Sequence, residues 1–257
     1  MAREILIAGT DHLETIRRCD GYYEATQNGD GTFLGPLVIT GSYEVSLGTG
    51  IRRALLSPIL YNIARVEQKV SVLSHFSRLL RARVIEQLGT RDIPGDEVIE
   101  SLIVIPRTNF GTLLAFHLGC QLVEAEKRIT RPAGELQPPQ YELVFERHRL
   151  EKGQRVAIFD DVGNNFTGVT KLITELGRLN SKIVAVICVV NRSGKTIQSL
   201  PCHGDIPIIS LLDLPTPQYH QDDPLVAAAL EQRNIFGDPK KHWDQLLAIM
   251  KRLNNPH

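Results

Sequence analysis

The stretch Arg155–Val190, RVAIFDDVGNNFTGVTKLITELGRLNSKIVAVICVV, constrains the fold more than any other part of the chain. Arg155–Phe159 is a short apolar run with β-branched residues, and Asp160 and Asp161 stand where such a strand would end. A polar turn, Gly163-Asn164-Asn165-Phe166-Thr167-Gly168, comes next, and Leu172, Ile173, Leu176 and Leu179 then recur at helical spacing. Ile183–Val190 is almost wholly apolar, as a strand covered on both faces of a parallel sheet has to be. The stretch therefore predicts a βαβ unit with a right-handed crossover. In an open parallel sheet ligands bind beyond the carboxyl ends of the strands. Two carboxylates and a turn entering a helix N-terminus stand where a ligand would be held.

The flanking sequence extends this unit. Val66, Val70, Leu73, Phe76, Leu80, Val84 and Leu88 keep helical spacing up to Gly89, which predicts one long amphipathic helix. Leu102–Ile105 reads as a strand, followed by a loop and an apolar helix to about Leu118, and Leu122–Ala125 as the next strand. Ile129–Gln140, with three prolines, predicts a long mobile loop, and Tyr141–Arg149 a strand. Pro207–Ser210 is a further short strand, and Leu246, Leu247, Met250 and Leu253 mark a terminal helix with an apolar face. Towards the N-terminus, Asn28-Gly29-Asp30-Gly31 predicts a hairpin between Tyr22-Tyr23 and Phe33, and Leu37–Ile39 a strand. The expected division is an accessory hood over residues 1–95, a core over 96–214 and a C-terminal extension over 215–257 packed on the core.

Composition excludes some classes. Lys plus Arg and Asp plus Glu number 29 each, so the net charge is zero. That argues against a general nucleic-acid or anionic-membrane binder. No apolar run approaches the length of a membrane span, and acidic residues interrupt the region a signal peptide would need. The four cysteines show no paired spacing, which fits a reducing cytoplasm. Gly194-Lys195-Thr196 lacks the upstream glycine of a Walker A loop. Cys202 and His203 lack partners at zinc spacing.

The acidic pair carries the chemistry. Each ionised carboxylate accepts hydrogen bonds from hydroxyl donors, so a pair suits a sugar diol. A helix N-terminus beyond it offers unpaired N–H groups to a phosphate. Together they would hold a phosphorylated ribose; the simpler alternative is that the two aspartates end a strand and cap a helix.

The unbroken run DDVGNNFTGV, with its preceding strand and following helix and strand, resembles the phosphoribosyl-pyrophosphate motif of type I phosphoribosyltransferases. The resemblance implies an α/β fold, type I phosphoribosyltransferase-like, with a mostly parallel sheet flanked by helices and a hood subdomain. It implies that Asp160 and Asp161 hold the ribose hydroxyls and that Gly163, Asn164, Asn165, Phe166, Thr167 and Gly168 hold the 5′-phosphate. Phe166 and Thr167 stand where the family usually has glycines, so Phe166 is expected to pack outward. Three more segments are similar to the orotate enzymes. Ser57–Asn62 matches a segment lying over the base and offers Tyr61; Asn191-Arg192 matches a pair whose arginine contacts orotate; Glu126-Lys127-Arg128 matches a segment whose basic residues reach pyrophosphate. An arginine suits a carboxylate-bearing base because the guanidinium binds it bidentately. By this resemblance Lys127, Arg107 and Arg131 offset the charge of the leaving pyrophosphate, and Mg2+ joins the ligand, with Asp160 and Asp161 reaching it through water. The implied partners are phosphoribosyl pyrophosphate, a nucleobase (orotate first) and a second copy of the chain. The altered loop also admits a sensor of phosphoribosyl pyrophosphate or nucleotide without turnover, or a transferase for a different base.

Overall fold

The computed structural model describes residues 11–45, 52–88, 99–105, 108–132, 140–145 and 147–254. In chain order the elements begin with α1 (His12–Arg18), β1 (Tyr22–Glu24), β2 (Leu37–Glu44), β3 (Arg52–Ser57), β4 (Ile59–Tyr61), α2 (Ile63–Glu67) and α3 (Val70–Leu88). There follow β5 (Ser101–Ile105), α4 (Asn109–Leu118), β6 (Gln121–Glu124), β7 (Glu126–Arg131), β8 (Gln140–Val144), β9 (Arg155–Asp160), β10 (Val162–Gly163), α5 (Thr167–Arg178) and β11 (Lys182–Asn191). The last are β12 (Ile197–Leu200), β13 (Gly204–Asp213), α6 (Pro224–Glu231), β14 (Ile235–Phe236) and α7 (Trp243–Asn254).

These elements form two compact units. One takes Met1–Arg18, Ile63–Arg128 and Glu142–Pro215; the other takes Cys19–Asn62, Ile129–Tyr141 and Thr216–His257. The consecutive division 1–95, 96–214, 215–257 expected from sequence is therefore redrawn. Residues 63–88 join the sheet because Val72, Phe76, Leu80 and Val84 bury one stripe of α3, which meets α4 and β13. The C-terminal residues share a core with the N-terminal ones: Tyr23, Leu37, Val38, Leu56 and Leu60 pack with Val226, Trp243, Leu246 and Leu247.

The first unit is built on a seven-stranded sheet in the order β12-β13-β11-β9-β5-β6, with β10 paired to β11. All pairs from β13 to β6 are parallel, and β12 adds an antiparallel edge. Helices cover both faces. A Cβ on Gly111 of α4 would come within 2.6 Å of the Val104 methyls, and one on Gly168 of α5 within 3.5 Å of Ile105. Successive strand residues point to opposite faces, so α4 and α5 lie on opposite sides of β5. Val156–Phe159 and Ala185–Val190 are fully buried, as strands with two covered faces require. This is the α/β architecture implied by the phosphoribosyltransferase resemblance.

The second unit pairs β14-β2-β3 and β1-β4 in separate small sheets. Its core closes on Trp243, 2% exposed, whose indole N–H donates to the Asp20 carbonyl at 2.8 Å. Among the described residues no helix is long and apolar enough to cross a membrane.

Several local expectations change. The turn at Asn28–Gly31 forms, with Asn28 N–H donating to Thr32 O at 2.8 Å and Phe33 returning antiparallel to Gln27, while Tyr22–Glu24 pairs with Ile59–Tyr61. The long helix is two, α2 and α3, because the buried stripe of α3 starts at Val72 and leaves Val70 74% exposed; Gly89 lies outside the described residues. The two ends of the expected loop are strand: Glu126–Arg131 pairs with Gln140–Val144 as a two-stranded ribbon, while 133–139 lie outside the described residues. The strand expected over Tyr141–Arg149 ends at Val144.

Candidate functional site

Strand order places the site. The chain leaves β5 through α4 to β6 on one side, then returns to β9 on the other. The crevice beyond the carboxyl ends of β5 and β9 is thus the switch point of the sheet, where open α/β folds bind ligands. Asp160 ends β9 there, in register with Ile105 at the end of β5. Asp160 is half-buried and Asp161 is 9% exposed. The first turn of α5 enters at the same point, with Gly168 against Ile105.

The chain after Asp160 is stitched to the next strand. The Asp161 carbonyl accepts from the N–H groups of Val189 at 3.1 Å and Val190 at 3.3 Å, and Arg192 N–H donates to the Gly163 carbonyl at 2.8 Å. Val162 and Gly163 pair in parallel with Val190 and Asn191. This lateral step ties the backbone of Arg192 to the turn that follows the acidic pair. Arg192 is 3% exposed.

Below the turn lies Phe166. Its φ of 52° is left-handed, which costs a non-glycine residue roughly 1–2 kcal/mol. The side chain is 2% exposed, and burying a phenylalanine gains about 1.5–3 kcal/mol, enough to hold it there. Phe166 thus packs inward, opposite to the sequence expectation. A Cβ on Gly163 would meet two carbons of its ring at 2.8 Å and Cys188 Sγ at 3.0 Å, so glycine is required at 163 by the ring. Burial first, and then the Asp160 carboxylate, push the Cys188 thiol far above its ordinary range. It is a neutral core group.

Asn165 is exposed and its side chain closes a local turn just before α5. Its Oδ1 accepts from Thr167 N–H at 3.2 Å and from Thr167 Oγ1 at 2.7 Å. One N–H expected to face a phosphate is therefore already taken by a side chain.

A polar network at the ends of β11 and β13 was not visible in the sequence. Asn191 Nδ2 donates to Lys195 O at 2.7 Å and to Asp213 Oδ1 at 2.9 Å, and its Oδ1 accepts from Ser193 Oγ at 2.7 Å. Ser210 Oγ donates to Asp213 Oδ1 at 2.6 Å. The missed signal was Asp213: like Asp160 it follows an apolar run, but the strand was read as stopping at Ser210. The network shapes the turn that carries Arg192.

The far side of the crevice is less open to anions. Thr108 caps α4 by accepting Gly111 N–H at 3.0 Å, and the Glu67 carboxylate accepts Phe110 N–H, also at 3.0 Å. Glu67 was not singled out from sequence. Arg107 lies outside the described residues. Lys127 is exposed on β7 beyond the end of β6. Arg131 and Tyr61 belong to the second unit, where Arg131 is exposed and Tyr61, 4% exposed, packs its ring 5.6 Å from Tyr22.

Comparison with known proteins follows the same line. No protein-family model matches the chain. Over 170 residues it is 26% identical to orotate phosphoribosyltransferase 2 of Mesorhizobium japonicum, covering 65% of this chain and 77% of that one. The chain resembles an orotate phosphoribosyltransferase. Solved structures align at lower identity. The orotate phosphoribosyltransferase of Aeropyrum pernix aligns at 16% identity with a TM-score of 0.46, over 86% of this chain and 97% of that one. The adenine phosphoribosyltransferase of Thermoanaerobacter pseudethanolicus aligns at 20% with a TM-score of 0.43, over 68% and 95%.

Proposed function

We propose that the protein transfers the phosphoribosyl group of phosphoribosyl pyrophosphate to a nucleobase, orotate first, releasing pyrophosphate and a nucleoside monophosphate. The observation that carries this reading is Asp160-Asp161 at the switch point of the sheet, followed directly by a turn into the N-terminus of α5. The bond from the anomeric carbon to pyrophosphate breaks as a base nitrogen bonds to that carbon, through an oxocarbenium-like state. The protein's part is to position the reactants and offset charge. Asp160 and Asp161 accept from the ribose hydroxyls, the first turn of α5 faces the 5′-phosphate, and Lys127 with Arg107 and Arg131 offsets the leaving charge. Arg192 is assigned to a carboxylate on the base.

Among the described residues no three His, Cys, Asp or Glu side chains are grouped around a metal site. Two carboxylates fit magnesium, which keeps several waters and is bound through one or two carboxylates together with substrate phosphates. When bound, it would neutralise pyrophosphate oxygens. A homodimer in the cytoplasm completes the proposal.

A second reading, a sensor that binds phosphoribosyl pyrophosphate without turnover, is favoured by one observation. The Glu67 carboxylate holds the first turn of α4, and a negative charge there repels a diphosphate.

Pyrophosphate release with phosphoribosyl pyrophosphate, magnesium and a panel of bases separates these. Turnover with orotate supports the leading reading. Turnover with adenine or uracil alone overturns the choice of base, and tight binding without turnover supports the sensor. Asp161→Asn is expected to weaken phosphoribosyl pyrophosphate binding by about 1–3 kcal/mol. Unchanged affinity by calorimetry removes Asp161 from the site.

A further inference from the structure

We infer that Phe166 is a positioning residue, holding the backbone of the turn that faces the 5′-phosphate in one conformation before a ligand arrives. The inference rests on the phosphoribosyl reading of the site. A turn with φ of 52° at this position favours glycine, yet the chain places a ring there and buries it to 2% exposure.

The ring makes one anchor and the backbone makes two others. Beneath the turn the ring contacts Gly163, with Cys188 Sγ at the same spot. Gly163 is itself tied to Arg192 through its carbonyl at 2.8 Å. On the other side the Phe166 carbonyl accepts from Thr170 N–H at 3.0 Å and Thr170 Oγ1 at 3.3 Å, in the first turn of α5. Asn164 and Asn165 thus span two fixed points, one on the strand side and one on the helix. A loop already held in one shape loses less freedom on binding. Glycine at 166 would supply the same φ without the anchor, so the ring is what sets the turn.

The test compares the full-length protein with Phe166→Gly and Phe166→Leu. Amide hydrogen exchange over residues 163–170 is followed in the free protein, together with KM for phosphoribosyl pyrophosphate and for the base. Phe166→Gly is expected to speed exchange by ~10-fold and raise KM for phosphoribosyl pyrophosphate by ~10-fold, leaving KM for the base unmoved. Phe166→Leu, which keeps an apolar anchor, is expected to restore part of both. If Phe166→Gly fails to fold, Phe166→Leu decides: a smaller change of the same sign supports the role. Unchanged exchange and unchanged KM in the folded variants overturn it, as does an equal rise in both KM values. A wild-type protein that binds neither phosphoribosyl pyrophosphate nor ribose 5-phosphate overturns the phosphoribosyl reading instead. Unchanged exchange with ligand binding intact overturns the role of Phe166 alone.

Discussion

Asn165 places its amide oxygen on Thr167 N–H, one of the N–H groups proposed to face a phosphate. A local side-chain-to-backbone hydrogen bond of this kind is worth about 0.5–1.5 kcal/mol. Asn165→Ala is therefore expected to lower stability by about 1 kcal/mol while leaving Thr167 N–H open, so affinity for phosphoribosyl pyrophosphate holds or rises. Asn165→Asp keeps an accepting oxygen and gains from the helix dipole, but its charge opposes a phosphate. Its stability should hold while KM for phosphoribosyl pyrophosphate climbs. Thermal unfolding and steady-state kinetics on the two variants check both signs. Parallel behaviour of the two would show that the side chain and the ligand do not share this N–H.

Two glycines separate helix packing from helix propensity. Gly111 lets α4 approach β5 so closely that a Cβ would stand 2.6 Å from the Val104 methyls. Gly111→Ala should therefore destabilise by roughly 1–3 kcal/mol, the cost of overpacking. Gly168 leaves 3.5 Å to Ile105, an ordinary contact, and Gly168→Ala should change stability by no more than about 1 kcal/mol. Urea midpoints read both directly. Where α1 meets α3, His12 sets its ring 5.4 Å from Phe76, edge-on. Burial first, then His75 and Arg83, hold the His12 pKa below its ordinary 6.5, with Asp11 acting the other way. Burial and Arg78 lower His75 as well. A depressed histidine pKa means that the unfolded chain binds the proton first. The contribution to stability is full above pH 6.5 and is lost as pH falls through the lower folded value. Urea midpoints should drop between pH 7 and pH 5, and His12→Gln should flatten that slope.

Each compact unit is assembled from three separated stretches of chain. The reading of Arg155–Val190 as strand, acidic turn, helix and strand survives in the structure, because apolar runs and 3.6-residue spacing are local consequences of burial. Asp160 was legible as a strand-end acid for the same reason. The Asn191–Asp213–Ser210 network, the Glu67 contact and the inward turn of Phe166 were not legible. Each joins residues from different elements, and no spacing in one segment encodes such a meeting. The β1–β4 pair was missed similarly: the Asn28–Gly31 turn is a strong local signal, but a strand's partner is chosen by which apolar faces are left to cover. By itself the sequence determined the parallel α/β core, the acidic strand end and the helix that follows, since propensity and periodicity act within a few residues. Tertiary structure alone decided that β5 and β9 flank the switch point and that the Phe166 ring turns inward beside Cys188 of the next strand. Those outcomes depend on packing between distant segments, where burial of a ring outweighs the local cost of a strained backbone.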